Sequence, residues 1–239
     1  MIKEKIWING KCITYILMRK KVKNINLRIK PDLTIVISAS PRISKKRIED
    51  FLISKGDWIE EKLGHVDSLE RIRFMEFSCI GGEEIRLFGR NLKLILLPSN
   101  SNKVEMDQNN LYLYCKDINN LDQVKKYWNQ WYQLFIKESL YDIVKEVHSI
   151  FYQYHNNMPK IKLRYMKTRW GTCNKRTDTI TLNKFLIEVP IECIEYVIIH
   201  EFTHFIHPNH SKEFYETLKS FLPDHKSREK MLDRYIIIK

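Results

Sequence analysis

Residues 190–210 have the sequence PIECIEYVIIHEFTHFIHPNH, and this stretch decides how the chain is interpreted. Its apolar residues recur at helical spacing, which predicts a buried α-helix. Pro190 stands where a first helical turn favours proline, and Pro208 ends the pattern. The predicted helix therefore places a polar H-E-x-x-H sequence, residues 200–204, within an apolar segment.

The spacing of His200 and His204 predicts that both imidazoles bind one metal ion. Residues four apart lie one turn apart on the same helix face. Glu201 projects beside them and is the candidate catalytic base. A hydrogen-bonded histidine pair in the core is the alternative, but burying these polar groups without a purpose is costly.

A catalytic zinc site commonly has three protein ligands and one open position, so a third ligand is needed. His210 is the best candidate, because Pro208 breaks the helix and lets the chain turn back. His207 is the rival, but on the same helix it points about one turn further along. Two carboxylates of the next helix, Glu213 and Glu216, are further candidates for the third ligand. We expect one Zn2+ per chain, bound by His200, His204 and His210.

This constellation predicts hydrolysis of a peptide bond. Zinc lowers the pKa of a bound water to about 7 and polarises a carbonyl group. Glu201 would take the water proton and return it to the leaving amine. The developing oxyanion needs a second electrophile besides zinc. Tyr215 and His207 are both candidates for that role.

The repeat of the apolar residues changes near residue 120, from about two residues, as in strands, to about 3.6 residues, as in helices. Before it, paired strands are predicted around Gly89-Arg90 and Asn109-Asn110, with one helix that begins after Ser44. After it, one long helix or two joined helices follow. We therefore predict an α+β fold, with a β-rich domain containing one helix at 1–120 and the H-E-x-x-H domain at 121–239.

The charge is concentrated at the N-terminus. Residues 1–62 contain 15 Lys and Arg against 7 Asp and Glu, so +8 of the net charge of +12 lies there. Such a region can attract nucleic acid by counterion release. The alternative is a solvated basic face without a partner.

The remaining composition favours a soluble cytoplasmic protein. Hydrophobic residues form 44% of the chain, enough for a core, and the five cysteines include no C-x-x-C pair. No apolar run approaches the roughly 20 residues that cross a bilayer, and the N-terminus lacks an apolar signal core. We expect no membrane partner.

Four linked motifs occur in the second half of the chain: KTRWGTC at 167–173, ITLN at 180–183, YVIIHEFTH at 196–204 and NHS at 209–211. Their order and spacing make them more specific than H-E-x-x-H alone. Together they resemble the YgjP-like metallopeptidases, predicted metal-dependent hydrolases related in their core to SprT-like and minigluzincin proteins. The segments 26–62 and 222–224 extend the similarity to nearly the whole chain.

The resemblance implies a zincin-like core, with His200, His204 and His210 as metal ligands and Glu201 as base. It also implies that the strand 179–183 lies beside the active helix, as an edge strand that pairs with the substrate backbone. Asn183 at its end is a candidate substrate contact. Thr172 stands where serine is common, and Tyr215 where tryptophan is common.

Two interpretations of Arg169-Trp170-Gly171 remain open. In one, Arg169 lines the cleft and binds a carboxylate or phosphate of the substrate. In the other, Trp170 packs against the active helix and Gly171 permits a tight turn. Cys173 is expected to be structural.

Three hypotheses for the function follow. The leading one is a zinc-dependent peptidase that acts on proteins or peptides. The second is a nucleic-acid-associated protein, or a protease of DNA-linked proteins, recruited through the basic N-terminal region. The third is a metal-stabilised interaction module, against which Glu201 argues, because a structural site needs no base.

Overall fold

The computed structural model describes residues 2–30, 34–64, 70–73 and 78–238. The chain divides into two compact units, residues 1–71 and residues 72–237. The boundary predicted near residue 120 lies inside the second unit, where paired strands give way to helices. That 1–120 and 121–239 are separate domains stays a prediction.

The first unit contains a four-stranded sheet and two helices. Its strands have the order β1-β2-β4-β3. Two helices stand where the sequence predicted one, because the chain leaves helical geometry at Lys55, before Gly56. The elements are β1 (Ile2–Ile8), β2 (Lys11–Arg19), β3 (Asn26–Ile29), β4 (Ile35–Ala39), α1 (Lys45–Ser54) and α2 (Gly56–Gly64).

Alternate residues of these strands form the core of the first unit. The same face of β1 and β2 provides Ile6, Ile8 and Tyr15, all buried. Ile48 of α1 and Ile59 of α2 pack against them in one apolar cluster. The two helices therefore cover one face of the sheet.

The second unit contains a four-stranded sheet, a three-stranded sheet and the longer helices. The first sheet has the order β6-β7-β9-β8 and the second the order β10-β12-β11. The short strand β5 (Glu70–Arg73) crosses the unit boundary. The other elements are β6 (Glu84–Leu87), β7 (Arg90–Pro98), β8 (Lys103–Met106), β9 (Asn110–Cys115), α3 (Leu121–Phe151), β10 (Lys160–Arg164), β11 (Gly171–Asn174), β12 (Thr179–Asn183), α4 (Ile191–Ile206), α5 (Lys212–Phe221), α6 (His225–Leu232) and β13 (Tyr235–Ile238), with 3₁₀ helices at Lys175–Thr177 and Lys184–Glu188. These elements confirm the predicted α+β class.

The predicted aromatic stripe after residue 120 belongs to one continuous helix. Helix α3 is 31 residues long, and the side chain of Asn120 accepts a hydrogen bond from Gln123 N at its start. At the other end, Phe151 contacts Phe202 of α4, with ring centroids 5.3 Å apart. Among the described residues, no helix combines the length and apolar character needed to span a bilayer.

The position of β12 corrects an expectation from the sequence. The strand Thr179–Asn183 was expected at a sheet edge, where it could bind substrate. It lies instead between β10, to which it is parallel, and β11, to which it is antiparallel. Both sides of its backbone are therefore occupied. In the described part of the chain, β11 is the edge strand next to α4, since its other side pairs with no strand.

A two-residue turn fixes the segment that precedes α4. Phe88 and Gly89 join β6 to β7, and both have positive φ, 50° and 77°, as a type I′ turn requires. Phe88 N donates to Ile187 O at 2.7 Å, and Gly89 N donates to Glu188 O at 3.1 Å. A Cβ on Gly89 would lie 2.7 Å from Cγ of Pro190, the N-cap of α4. The turn therefore supports the start of this helix.

We predict that Gly89→Ala lowers the free energy of unfolding by about 2–4 kcal/mol, because the methyl group meets Pro190 and the positive φ is strained. Chemical denaturation of the full chain measures this change. Gly81→Ala is the matched control in the same unit, since a Cβ at Gly81 meets no atom within 4 Å. Equal stability of the two variants would contradict the prediction.

Candidate metal centre

The three histidines predicted as ligands converge in the second unit. His200 and His204 lie on α4, and His210 lies between α4 and α5. One ligand atom from each histidine lies within 4.8 Å of the others. Nε2 of His200 and Nε2 of His210 are 2.9 Å apart. The chain turn after Pro208 therefore returns His210 to the helix, as the sequence predicted.

The donor set fits a metal ion. Burial, with the neighbouring His204 and His210, lowers the pKa of His200 to about 4. Burial also lowers the pKa of His204. At neutral pH these imidazoles are therefore neutral, the form with a lone pair free for a metal. Three nitrogen atoms that share one small space also match the ligands that zinc and related transition metals bind.

The other ring nitrogen of His204 orients its imidazole. Nδ1 of His204 lies 3.2 Å from the carbonyl oxygen of His207 and must donate its hydrogen to it, which directs Nε2 toward the cluster. The side chain of His207 itself contacts Oγ1 of Thr217 at 2.9 Å. His207, the rival ligand in the sequence, thus supports the site through its backbone while its ring contacts α5.

The two carboxylates considered as third ligands have other partners. Oγ of Ser211 donates a hydrogen bond to Oε2 of Glu213 at 2.6 Å. Glu216 forms an exposed ion pair with Lys212 at 3.5 Å. Neither carboxylate belongs to the histidine cluster.

Glu201 lies beside the cluster in a buried position, 6% exposed. Burial raises the pKa of its carboxyl group to about 7, and the positive charge of Arg169 opposes this rise. Oε2 has no hydrogen-bond partner among the described residues. A carboxyl group with a pKa near neutrality and an unpaired oxygen is suited to moving a proton.

Strand β11 approaches Glu201 at Gly171. A Cβ added to Gly171 would lie 2.7 Å from Oε1 and 2.8 Å from Cγ of Glu201. Gly171 does not have a positive φ, so the tight turn considered in the sequence does not explain it. Glycine is needed here because any side chain would occupy the space of the carboxylate.

Asn183 holds the loop that leads to β11. Its Nδ2 donates to the carbonyl oxygens of Met166 and Arg169, both at 2.8 Å. Its Oδ1 accepts from the backbone N–H groups of Met166 and Phe185, both at 3.2 Å. Asn183 is 0% exposed, so no group of its side chain remains for the predicted substrate contact. It fixes the path of the 166–170 loop instead.

Tyr215 and Arg169 lie on the exposed side of the site. Tyr215 is 42% exposed, and its ring stacks on that of His210 with centroids 6.2 Å apart. Arg169 is exposed and lies close enough to Glu201 to affect its pKa. Of the four predicted substrate-side residues, these two therefore remain available, whereas His207 and Asn183 have partners inside the protein.

Phe214 is a part of the site that the sequence did not reveal. Its buried ring lies against all three histidines, with centroids 5.0 Å from His200, 4.7 Å from His204 and 4.8 Å from His210. The sequence marks Phe214 only as an apolar residue early in α5. Its ring fills the space behind the imidazoles and restricts their movement.

A comparison with known protein families matches most of the chain. The family model described as YgjP-like, metallopeptidase domain, matches residues 23–235. This range includes the three histidines, Glu201 and Gly171.

Two solved structures resemble part of the chain. The metallopeptidase zymogen abylysin of Pyrococcus abyssi is 19% identical and has a TM-score of 0.36; the match covers 41% of this chain and 99% of that chain. The metallopeptidase zymogen jannalysin of Methanocaldococcus jannaschii is 27% identical with a TM-score of 0.34, over 38% and 90% of the two chains. No curated protein matches. From the family match over most of its length, the chain belongs to the YgjP-like metallopeptidases and is a metal-dependent peptidase.

Proposed function

We propose that the metal is zinc, one ion per chain, and that His200, His204 and His210 bind it. The observation that supports this most is the convergence of three imidazoles beside the buried carboxylate of Glu201, whose Oε2 has no hydrogen-bond partner in the described part of the chain. Three protein ligands with an open fourth position are typical of catalytic zinc. A purely structural site would have no use for Glu201.

Glu201 acts as the base and then as the acid of the reaction. When bound, zinc supplies a Lewis acid that acidifies water and polarises the substrate carbonyl. Glu201 accepts the proton of the attacking water on its unpaired oxygen and donates it to the leaving amine. Its burial supports both steps, since a carboxyl group with a pKa of about 7 takes up and releases a proton at neutral pH.

The peptide lies along the free edge of β11. An extended peptide can pair with the backbone of this strand, as it can with any exposed sheet edge. Gly171 at the start of the strand places this edge beside Glu201. Arg169 precedes it and is suited to bind an acidic group of the substrate.

Tyr215 stabilises the oxyanion of the tetrahedral intermediate. His207 was the other candidate, but its ring contacts Thr217. The exposed ring of Tyr215 lies beside His210, on the side that substrate can reach. A hydroxyl group that donates a hydrogen bond to a developing oxyanion raises the reaction rate by a large factor.

The zinc and base assignments predict different losses in two variants. Glu201→Gln should keep about one zinc per chain by elemental analysis but cleave a peptide library about 10²–10⁴-fold more slowly, because it cannot move the proton. His210→Ala should lose both the metal and the activity.

His207→Ala is the matched control for this experiment and should retain its zinc. Full zinc retention in His210→Ala would exclude the three-histidine site. Undiminished cleavage by Glu201→Gln would exclude Glu201 as the base.

We predict that Tyr215→Phe lowers kcat by about 10²-fold with little change in KM, because the lost hydroxyl acts on the transition state. Steady-state kinetics on one peptide substrate measure both constants. Tyr154→Phe is the control, since Tyr154 is an exposed tyrosine beyond the end of α3. A rise in KM without a loss of kcat would assign Tyr215 to substrate binding instead.

The contact between Gly171 and Glu201 predicts a compensating pair of substitutions. Gly171→Ala should lower kcat about 10²-fold by displacing the carboxylate, with the zinc retained. Glu201→Asp shortens the side chain and makes room for the methyl group. The double variant should therefore be more active than the product of the two single effects predicts.

Thermal unfolding of the same variants separates positioning from stability. The double variant should regain part of the stability that Gly171→Ala loses. Strictly additive effects on both kcat and unfolding would show that the contact does not position Glu201.

A further inference from the structure

The sheet of the first unit has a second face, opposite the one that α1 and α2 cover. The strand registers join Lys3 of β1 to Ile16 of β2, Ile16 to Val36 of β4, and Val36 to Arg28 of β3. One row across all four strands therefore has an aliphatic centre with a cation at each end. Lys5 and Trp7 follow Lys3 on the same side of β1. We call this surface the open face; it contains Lys3, Lys5, Trp7, Ile16, Arg28 and Val36.

The open face has cations but no carboxylate among its described strand residues, whereas the helix side has both signs of charge. Lys3, Lys5 and Arg28 are exposed and form no ion pair with a described residue. No strand residue described on the open face is acidic.

The carboxylates whose partners are described lie on the helix side instead. Glu4, on the core side of β1, pairs with Lys45 of α1 at 2.7 Å. Asp57 and Glu60 of α2 accept hydrogen bonds from Asn9. The open face is therefore positive without compensation from its own side.

Trp7 gives the open face an aromatic group. Its side chain is 69% exposed, although tryptophan is normally among the more buried residues. The indole lies two residues from Lys5, on the same face of an edge strand. An exposed aromatic ring beside cations is the combination that binds an unpaired base and its phosphate.

A single strand matches this surface better than a duplex does. Reading a duplex requires an element that enters a groove, such as a helix or a two-stranded ribbon. A sheet face instead offers aromatic side chains to unstacked bases and cations to the nucleic-acid backbone. Trp7 and the three cations provide these groups here, whereas Val36 is only 8% exposed and Ile16 is half-buried. The lysines at 20, 21 and 23, which follow β2, extend the positive charge beyond the sheet.

We propose that the open face binds single-stranded nucleic acid, with Trp7 stacking on a base and Lys3, Lys5 and Arg28 contacting phosphates. This interaction is separate from peptide cleavage and requires neither the metal nor Glu201. It gives three cations of residues 1–62, Lys3, Lys5 and Arg28, a ligand chemistry.

Fluorescence anisotropy of the full chain with labelled oligo-dT and oligo-U tests the proposal. The oligonucleotides should exceed the ~4–16 nucleotides that such sites span. The triple variant Lys3→Gln, Lys5→Gln, Arg28→Gln should bind at least about tenfold more weakly and reduce the salt slope by about two. Trp7→Ala should bind about tenfold more weakly with an unchanged slope.

Matched controls exist on the helix side of the same unit. One control is the triple variant Lys46→Gln, Arg47→Gln, Lys55→Gln, which removes the same charge from exposed positions. The other is Trp58→Ala, which removes another exposed tryptophan. Both controls should keep the affinity of the wild type, and all variants involve exposed side chains, so thermal unfolding should be unchanged.

Three outcomes would overturn the proposal. One is equal weakening by both triple variants, which would indicate diffuse attraction by net charge. Another is wild-type binding by Trp7→Ala, which would exclude stacking. The third is equal affinity for a duplex, for polyglutamate or for anionic vesicles, which would make the surface a general anion-binding one.

Discussion

The burial of polar groups on helix α4 is the constraint on which the second unit depends. This helix must lie in the core, yet it contains His200, Glu201 and His204. Each of these groups loses hydration, and a buried polar group without a partner is costly. The surrounding elements hold these three side chains in fixed positions, but they do not neutralise their polarity. Phe214 packs behind the imidazoles, the His207 carbonyl orients one of them, and β11 confines the carboxylate.

The properties of Glu201 follow from contacts made by residues distant in sequence. Asn183 fixes the loop that ends at Gly171, and Gly171 leaves room for the carboxylate. The same close packing excludes water, and this raises the pKa of the carboxyl group. The position and the proton affinity of Glu201 therefore have one cause, which is the close approach of β11 to α4. A larger residue at Gly171 would disturb both together.

Local periodicity predicted the parts of the fold that depend on neighbours along the helix. The i, i+4 spacing of His200 and His204 and the continuous stripe of α3 are of this kind. Strand order is different, because alternation shows that 179–183 is a strand but not that it lies between β10 and β11. The roles of Gly171 and Asn183 also depend on contacts across the sheet. The break at Lys55 was missed because apolar residues on both sides keep nearly the same helical phase.

The two units depend on different kinds of physical interaction. The metal centre uses neutral imidazoles and a buried carboxyl group, whose short-range contacts are little affected by salt. The open face uses exposed cations, whose attraction for a polyanion falls steeply as salt rises. Charge beside the carboxylate would also alter its proton affinity, as Arg169 already does in part. The proton affinity of Glu201 is therefore set by burial and by Arg169, both within its own unit, whereas the cations of the open face determine the affinity for a charged partner.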